Sequence, residues 1–113
     1  MTREEINAIC RSLRAVTHVV QWGGADVWKV GGKVFAINWD DGVTFKASDM
    51  AFEVLQGGPG IGPASYMASR GLKWLKNYGT EGLSDAALRD HLVASYDMVF
   101  AGLTKKKQVE LLG

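Results

Sequence analysis

Thirteen lysines and arginines, several set beside tryptophans and tyrosines, form the most chemically suggestive pattern in this chain. Lys29 and Lys33 flank Gly31-Gly32, and Lys46 lies further along. Arg70, Lys73 and Lys76 sit beside Tyr66, Trp74 and Tyr78, and Lys105, Lys106 and Lys107 form a run near the C-terminus. Cations neutralise phosphate and aromatic rings stack on bases, so this mixture suits a nucleic-acid surface. On that reading Lys29, Lys33, Arg70, Lys73, Lys105, Lys106 and Lys107 contact phosphate, and Tyr66 or Trp74 stacks. The competing reading is ordinary solvated charge. Lysines on a hairpin guard a sheet edge, and a lysine run closing a helix complements its dipole. The formal net charge is only +1. A nucleic-acid role would therefore need a local patch, because bulk charge does not supply one.

Other chemistry finds less support. Gly58-Pro59-Gly60-Ile61-Gly62 has the glycine density of a phosphate cradle but lacks the Gly-Lys-Ser/Thr ending that holds phosphate and magnesium. It also does not follow a strand and open a long helix, as a dinucleotide fingerprint would. It reads as a helix-terminating loop. His18 and His91 are the only imidazoles and Cys10 the only thiol, so no zinc-ligand spacing exists. Asp40-Asp41 is better explained by a turn than by a cation site. Ser65 lacks the Gly-x-Ser-x-Gly elbow of a hydrolase nucleophile. Asp85, Asp90 and Asp97 spread around a helix and do not converge, whereas acid–base catalysis needs groups aimed at one atom. The expectation is a domain without catalysis, metal or cofactor. If it does not bind DNA, the alternative is a protein- or small-ligand-binding module. Its site would lie beside the loop at 57–66, in an apolar pocket lined by Tyr66 and Trp74.

The elements that must position these residues fit one α+β domain spanning residues 1–113. The length suits a single core, and 47% hydrophobic with 22% charged residues is an ordinary globular balance. Cys10 falls on the apolar side of a helix, as a small buried hydrophobe. A lone cysteine forms no internal disulfide and fits a reducing cytoplasm. No run approaches a membrane span, and the N-terminus lacks a signal-peptide core, so no membrane partner is expected.

Residues 2–15 read as a helix, with Thr2 and Glu5 as a capping box and Ile6, Ile9, Cys10, Leu13 and Val16 as one apolar stripe. Glu4, Asn7, Arg11 and Arg14 fall on the other side. Residues 19–22 form a candidate strand ending at Gly23-Gly24. Residues 27–46 alternate as a three-stranded antiparallel meander. A two-residue Gly31-Gly32 turn pairs Val30 with Lys33 and Trp28 with Phe35. A three-residue Asp40-Asp41-Gly42 loop, with Gly42 left-handed, pairs Trp39 with Val43. That register keeps Trp28, Phe35, Ile37, Trp39, Val43 and Phe45 on one face. Residues 48–55 read as a helix capped by Ser48. Residues 72–76 alternate like a strand, with a helix over 64–76 as the alternative. Residues 84–101 give the clearest helix: Ser84 caps it, Leu83 staples onto Leu88, and Gly102 gives a left-handed end. Residues 104–113 are a short helix or a frayed tail.

Taken in order, these stretches carry a family resemblance. Val27-Trp28-Lys29-Val30-Gly31-Gly32-Lys33-Val34-Phe35-Ala36, then Val43-Thr44-Phe45-Lys46 and Pro59-Gly60-Ile61-Gly62-Pro63-Ala64-Ser65-Tyr66-Met67, resemble the MmcQ/YjbR-like proteins, small bacterial domains. The end is similar too: Leu83-Ser84-Asp85 opening a helix, Ser95-Tyr96-Asp97-Met98-Val99 inside it, and Gly102-Leu103-Thr104-Lys105-Lys106-Lys107 closing it. The chain departs from the family's usual pattern at Ser65, where a second proline is common. The resemblance implies a CyaY-like (frataxin-like) two-layer architecture, with an antiparallel sheet and helices packed on one face. It also implies a DNA-binding role of a double-wing kind and brings no catalytic residues. A frataxin-like iron role would want a dense acidic first helix, and here Arg3, Arg11 and Arg14 stand among the glutamates.

Overall fold

A computed structural model describes residues 1–79 and 81–113, with the side chains of Tyr66 and Ala68 also left outside the description. Helix α1 (Arg3–Ser12) begins at the expected capping box: the Thr2 hydroxyl accepts from the Glu5 amide, and the Glu5 carboxylate accepts from the Thr2 amide at 2.8 Å. It ends at Ser12, short of the expected residue 15, and Ala15 takes a left-handed φ of 61° in the turn that follows. Strands β1 (Val16–Gln21), β2 (Ala25–Val30), β3 (Lys33–Asn38) and β4 (Gly42–Lys46) then run back and forth. Helix α2 (Asp49–Leu55), strand β5 (Ile61–Pro63), the single-turn helix α3 (Ser65–Ala68) and strand β6 (Trp74–Tyr78) follow. Helices α4 (Asp85–Ala101) and α5 (Lys105–Leu112) complete the chain. Residues 74–78 settle the open alternative in favour of a strand, and residues 105–112 settle theirs in favour of a helix.

All pairings are antiparallel, in the order β1-β2-β3-β4-β6-β5. Helices α1 and α4 lie on one face over the main core of Trp28, Val30, Phe35, Val43, Phe45, Leu75, Leu88 and Leu92, and Phe52, Leu55 and Leu111 close its margins. Burying each of these large side chains contributes about 1.5–3 kcal/mol. Among the described helices only α3 departs from the one-sided arrangement: its Met67, with Val34 and Trp39, packs against Ala25, Val27 and Ile37 on the opposite face. No helix among the described residues is long and apolar enough to cross a membrane.

Two features of the meander differ from the sequence reading. The Gly31-Gly32 turn does pair Val30 with Lys33, but the register shifts between Lys29 and Trp28, so Trp28 lies opposite Ala36. Phe35 is the extra residue of a β-bulge. A bulge reverses the alternation beyond it. Phe35 therefore enters the main core, while Ile37 and Trp39 turn to the other face. Buried Ser95 stabilises the irregularity: its hydroxyl donates to the Phe35 carbonyl at 2.7 Å and accepts from the Lys46 amide at 2.9 Å. The second turn is the two-residue Asp40-Asp41, with the Trp39 amide donating to the Gly42 carbonyl. Gly42 is not left-handed. Glycine is needed there because a Cβ would lie 2.4 Å from the Asn77 carbonyl oxygen of β6.

Candidate functional site

Strand directions put the start of β3, the end of β4 and the start of β6 at one end of the sheet. Lys33, Lys46 and Lys73 are exposed there. Lys73 forms a 3.4 Å ion pair with the exposed Asp49. Lys29, half-buried in β2 between Thr17 and Val34, lies on the face opposite α1 and α4, near the same end. At Gly31 (φ 58°) a Cβ would fall 2.5 Å from Leu103 Cδ1. The bare glycine thus lets the hairpin tip rest on the α4–α5 junction. Lys105, Lys106 and Lys107, all exposed, begin two residues after Leu103 and join this basic end.

These three lysines do not close a helix. Gly102 has a right-handed φ of −79°, and Thr104 caps a new helix by accepting from the Lys107 amide at 3.2 Å. Lys105 to Lys107 are therefore the first turn of α5, which holds no acidic residue. There the helix dipole is positive and repels them, so dipole complementarity does not explain the run. Lys107 has a loose 3.8 Å contact with Glu110 one turn on.

The aromatic half of the expected surface is placed differently. Trp74 is 8% exposed, its ring inside the protein, and the side chain of Tyr66 lies outside the described residues. Arg70 is exposed in the turn after α3. The exposed aromatics, Trp22 and Tyr78, stand at the other end of the sheet. They belong to a hollow of about 510 Å³ on the face opposite α1 and α4, floored by Ile37, Thr44 and Lys76 and walled by Trp22, Trp39 and Tyr78. Ala64, Ser65 and Met67 form its rim. An apolar pocket thus exists beside the loop at 57–66, but Trp74 is not in its described lining. In that loop Gly60 serves packing: at its φ of 67° a Cβ would lie 2.5 Å from the backbone of residues 81 and 82.

A polar cluster that the sequence did not announce ties α1 to β1, β2 and β3. Asp26 Oδ2 accepts from Arg3 Nε and Asn7 Nδ2, each at 2.8 Å, and Oδ1 accepts from His18 Nε2 at 2.7 Å. Asn7, expected on the polar side of α1, is buried. Its Oδ1 accepts from Trp28 Nε1 and Asn38 Nδ2, each at 2.9 Å. Partial burial disfavours the Asp26 charge. The hydrogen bonds from Asn7, His18 and Arg3, with the Arg3 charge, outweigh that and hold its carboxyl at about 2. Both carboxylate oxygens are thus engaged in anchoring. Cys10 is fully buried and burial pushes its thiol up to about 12, so it is a core residue rather than a nucleophile. No group of three or more metal-ligating side chains occurs among the described residues.

The architecture is that of a small two-layer α+β domain with one basic end and one aromatic hollow. The sequence profile of the YjbR family matches residues 11–98. An uncharacterised protein of Escherichia coli O157:H7, YbdF, is 36% identical over 88 residues, covering 74% of this chain and 70% of that one. The chain belongs to the YjbR family.

Proposed function

We propose that this domain is a non-catalytic, cytoplasmic module that binds DNA through its basic end, without reading sequence. The observation that carries the reading is the convergence of Lys33, Lys46, Lys73 and Lys105 to Lys107 at the end of the sheet where the hairpin tip meets α5. Lysines in the first turn of a helix repel its dipole, and a phosphate bound among them relieves that repulsion. Lys29 and Arg70 extend the contact. Tyr66 is the remaining candidate for stacking, because Trp74 is buried. The chain's near-neutral total charge predicts modest affinity that depends on salt.

Fluorescence anisotropy with a labelled DNA duplex at low salt tests this. Reversing Lys105, Lys106 and Lys107 to glutamate abolishes binding. Reversing Arg89, exposed on the first half of α4 and away from the basic end, leaves it unchanged. Equal losses from both variants, or no binding by the parent protein, overturn the reading.

A further inference from the structure

The hollow lies on the sheet face opposite α1 and α4, at the other end from Lys33, Lys46, Lys73 and Lys105 to Lys107. Its existence follows from the β-bulge. With Phe35 taken into the main core, Ile37 and Trp39 face the open side, where Thr44 lies opposite Ile37 and Lys76 lies opposite Thr44 on the next strand. The result is a concave, mostly apolar space of about 510 Å³. Sites for small molecules run from roughly 300 to 1,000 Å³ and combine apolar walls with a few polar groups.

Among the described residues, the lining has one charged group. Lys76 is 17% exposed, and its ammonium stands 5.6 Å from the Trp39 ring centroid and 5.0 Å from that of Tyr78. Among the described residues, none that lines the hollow is acidic. The partner of Lys76 is Asp41 at 3.0 Å, a turn residue outside the lining and 67% exposed. An ion pair with so exposed a partner contributes little. The ammonium has three donors, so it can take a second acceptor from the hollow side. Trp22 supplies the third ring. It has a φ of 53° and is 53% exposed. A bulky residue in left-handed backbone is strained, and such strain clusters at ligand clamps. The turn holds an indole over the hollow where it could otherwise have packed away.

We propose that the hollow binds a small planar aromatic carboxylate, with its ring among Trp22, Trp39 and Tyr78 and its carboxylate on Lys76. Charge complementarity selects the class: aromatic walls accept a flat apolar body, and an ammonium with a donor to spare beyond Asp41 accepts one negative charge. A cation finds no counter-charge among the described lining residues, and a neutral ring leaves the ammonium without its second acceptor.

The test is an NMR titration of the full chain with 2-naphthoate and, separately, with neutral 2-naphthamide, observing the four indole N–H signals. With 2-naphthoate, the signals of Trp22 and Trp39 shift saturably while that of Trp28, buried in the main core, stays. The amide binds about tenfold more weakly or worse, the equivalent of about 1.4 kcal/mol. Lys76→Met removes the preference for the acid. Asp41→Asn, an exposed change that leaves the fold intact, frees Lys76 and tightens 2-naphthoate severalfold. Should Lys76→Met fail to fold, the acid–amide comparison and Asp41→Asn still decide. Equal affinity for acid and amide, no saturable shift, shifts shared equally by Trp28, or unchanged affinity in Asp41→Asn would each overturn the proposal.

Discussion

Replacing Asp26 with asparagine removes the charge at the centre of the cluster joining α1 to the sheet, and the loss has a defined pH signature. The folded-state carboxyl titrates at about 2, against 3.8 for a free aspartate. At 1.36 kcal/mol per unit, the difference corresponds to about 2 kcal/mol of stability. The sign follows from the direction. Because the folded-state value is depressed, the unfolded chain takes up the proton first as pH falls. The stabilisation is complete above about pH 4–5, shrinks below it and is gone once pH has fallen through about 2. Urea unfolding of the parent and of Asp26→Asn, followed by tryptophan fluorescence, measures it. The parent is more stable by about 2 kcal/mol near pH 7, and the charge-dependent part of that gap vanishes near pH 2. Subtracting one protein from the other cancels the titration of the remaining carboxylates. A gap that stays constant from neutral to acid pH would refute the claim that Arg3, Asn7 and His18 stabilise the ionised form.

Two further predictions concern the framework of the sheet. Ser95→Ala removes the hydroxyl that serves both the Phe35 carbonyl and the Lys46 amide. Leaving these without their side-chain partner costs about 2–4 kcal/mol in chemical denaturation, and a loss below about 0.5 kcal/mol would mean that the bulge does not need Ser95. Gly42→Ala drives a methyl to within 2.4 Å of the Asn77 carbonyl oxygen, and β4 and β6 must separate. The expected loss is about 1–3 kcal/mol, with faster amide exchange along the β4–β6 ladder; unchanged protection there would contradict the close approach.

What could be read in the sequence was what is decided locally. Thr2 with Glu5, Ser48 and Ser84 all cap helices where expected, because a cap depends on residues three apart. The meander was legible from its period-two pattern. The bulge was not. Phe35, Ile37 and Trp39 alternate as regularly as any strand, and the residue that stabilises the break, Ser95, lies sixty residues away. The hollow, which depends on that break, was therefore anticipated only as an apolar pocket near the loop at 57–66, with the wrong tryptophan in its wall. The Asp26 cluster draws on Arg3 and Asn7 of α1, His18 of β1 and Asn38 of β3. Its one local sign was an uncharged Asn7 among the charged residues of α1. The Lys105 to Lys107 run turned on a boundary: with Gly102 right-handed and Thr104 as a cap, the same lysines open a helix where they were expected to end one.

The central claim, phosphate contact by the basic end, is tested most directly by the salt dependence of duplex binding in the parent and in the Lys105/Lys106/Lys107 charge-reversal protein. Each phosphate neutralised adds roughly 0.9 to the slope of log affinity against log salt. If all three lysines contact phosphate, losing them flattens the slope by about 2–3 as affinity falls. A parent slope near zero, or a slope that the reversal leaves unchanged, would contradict the account.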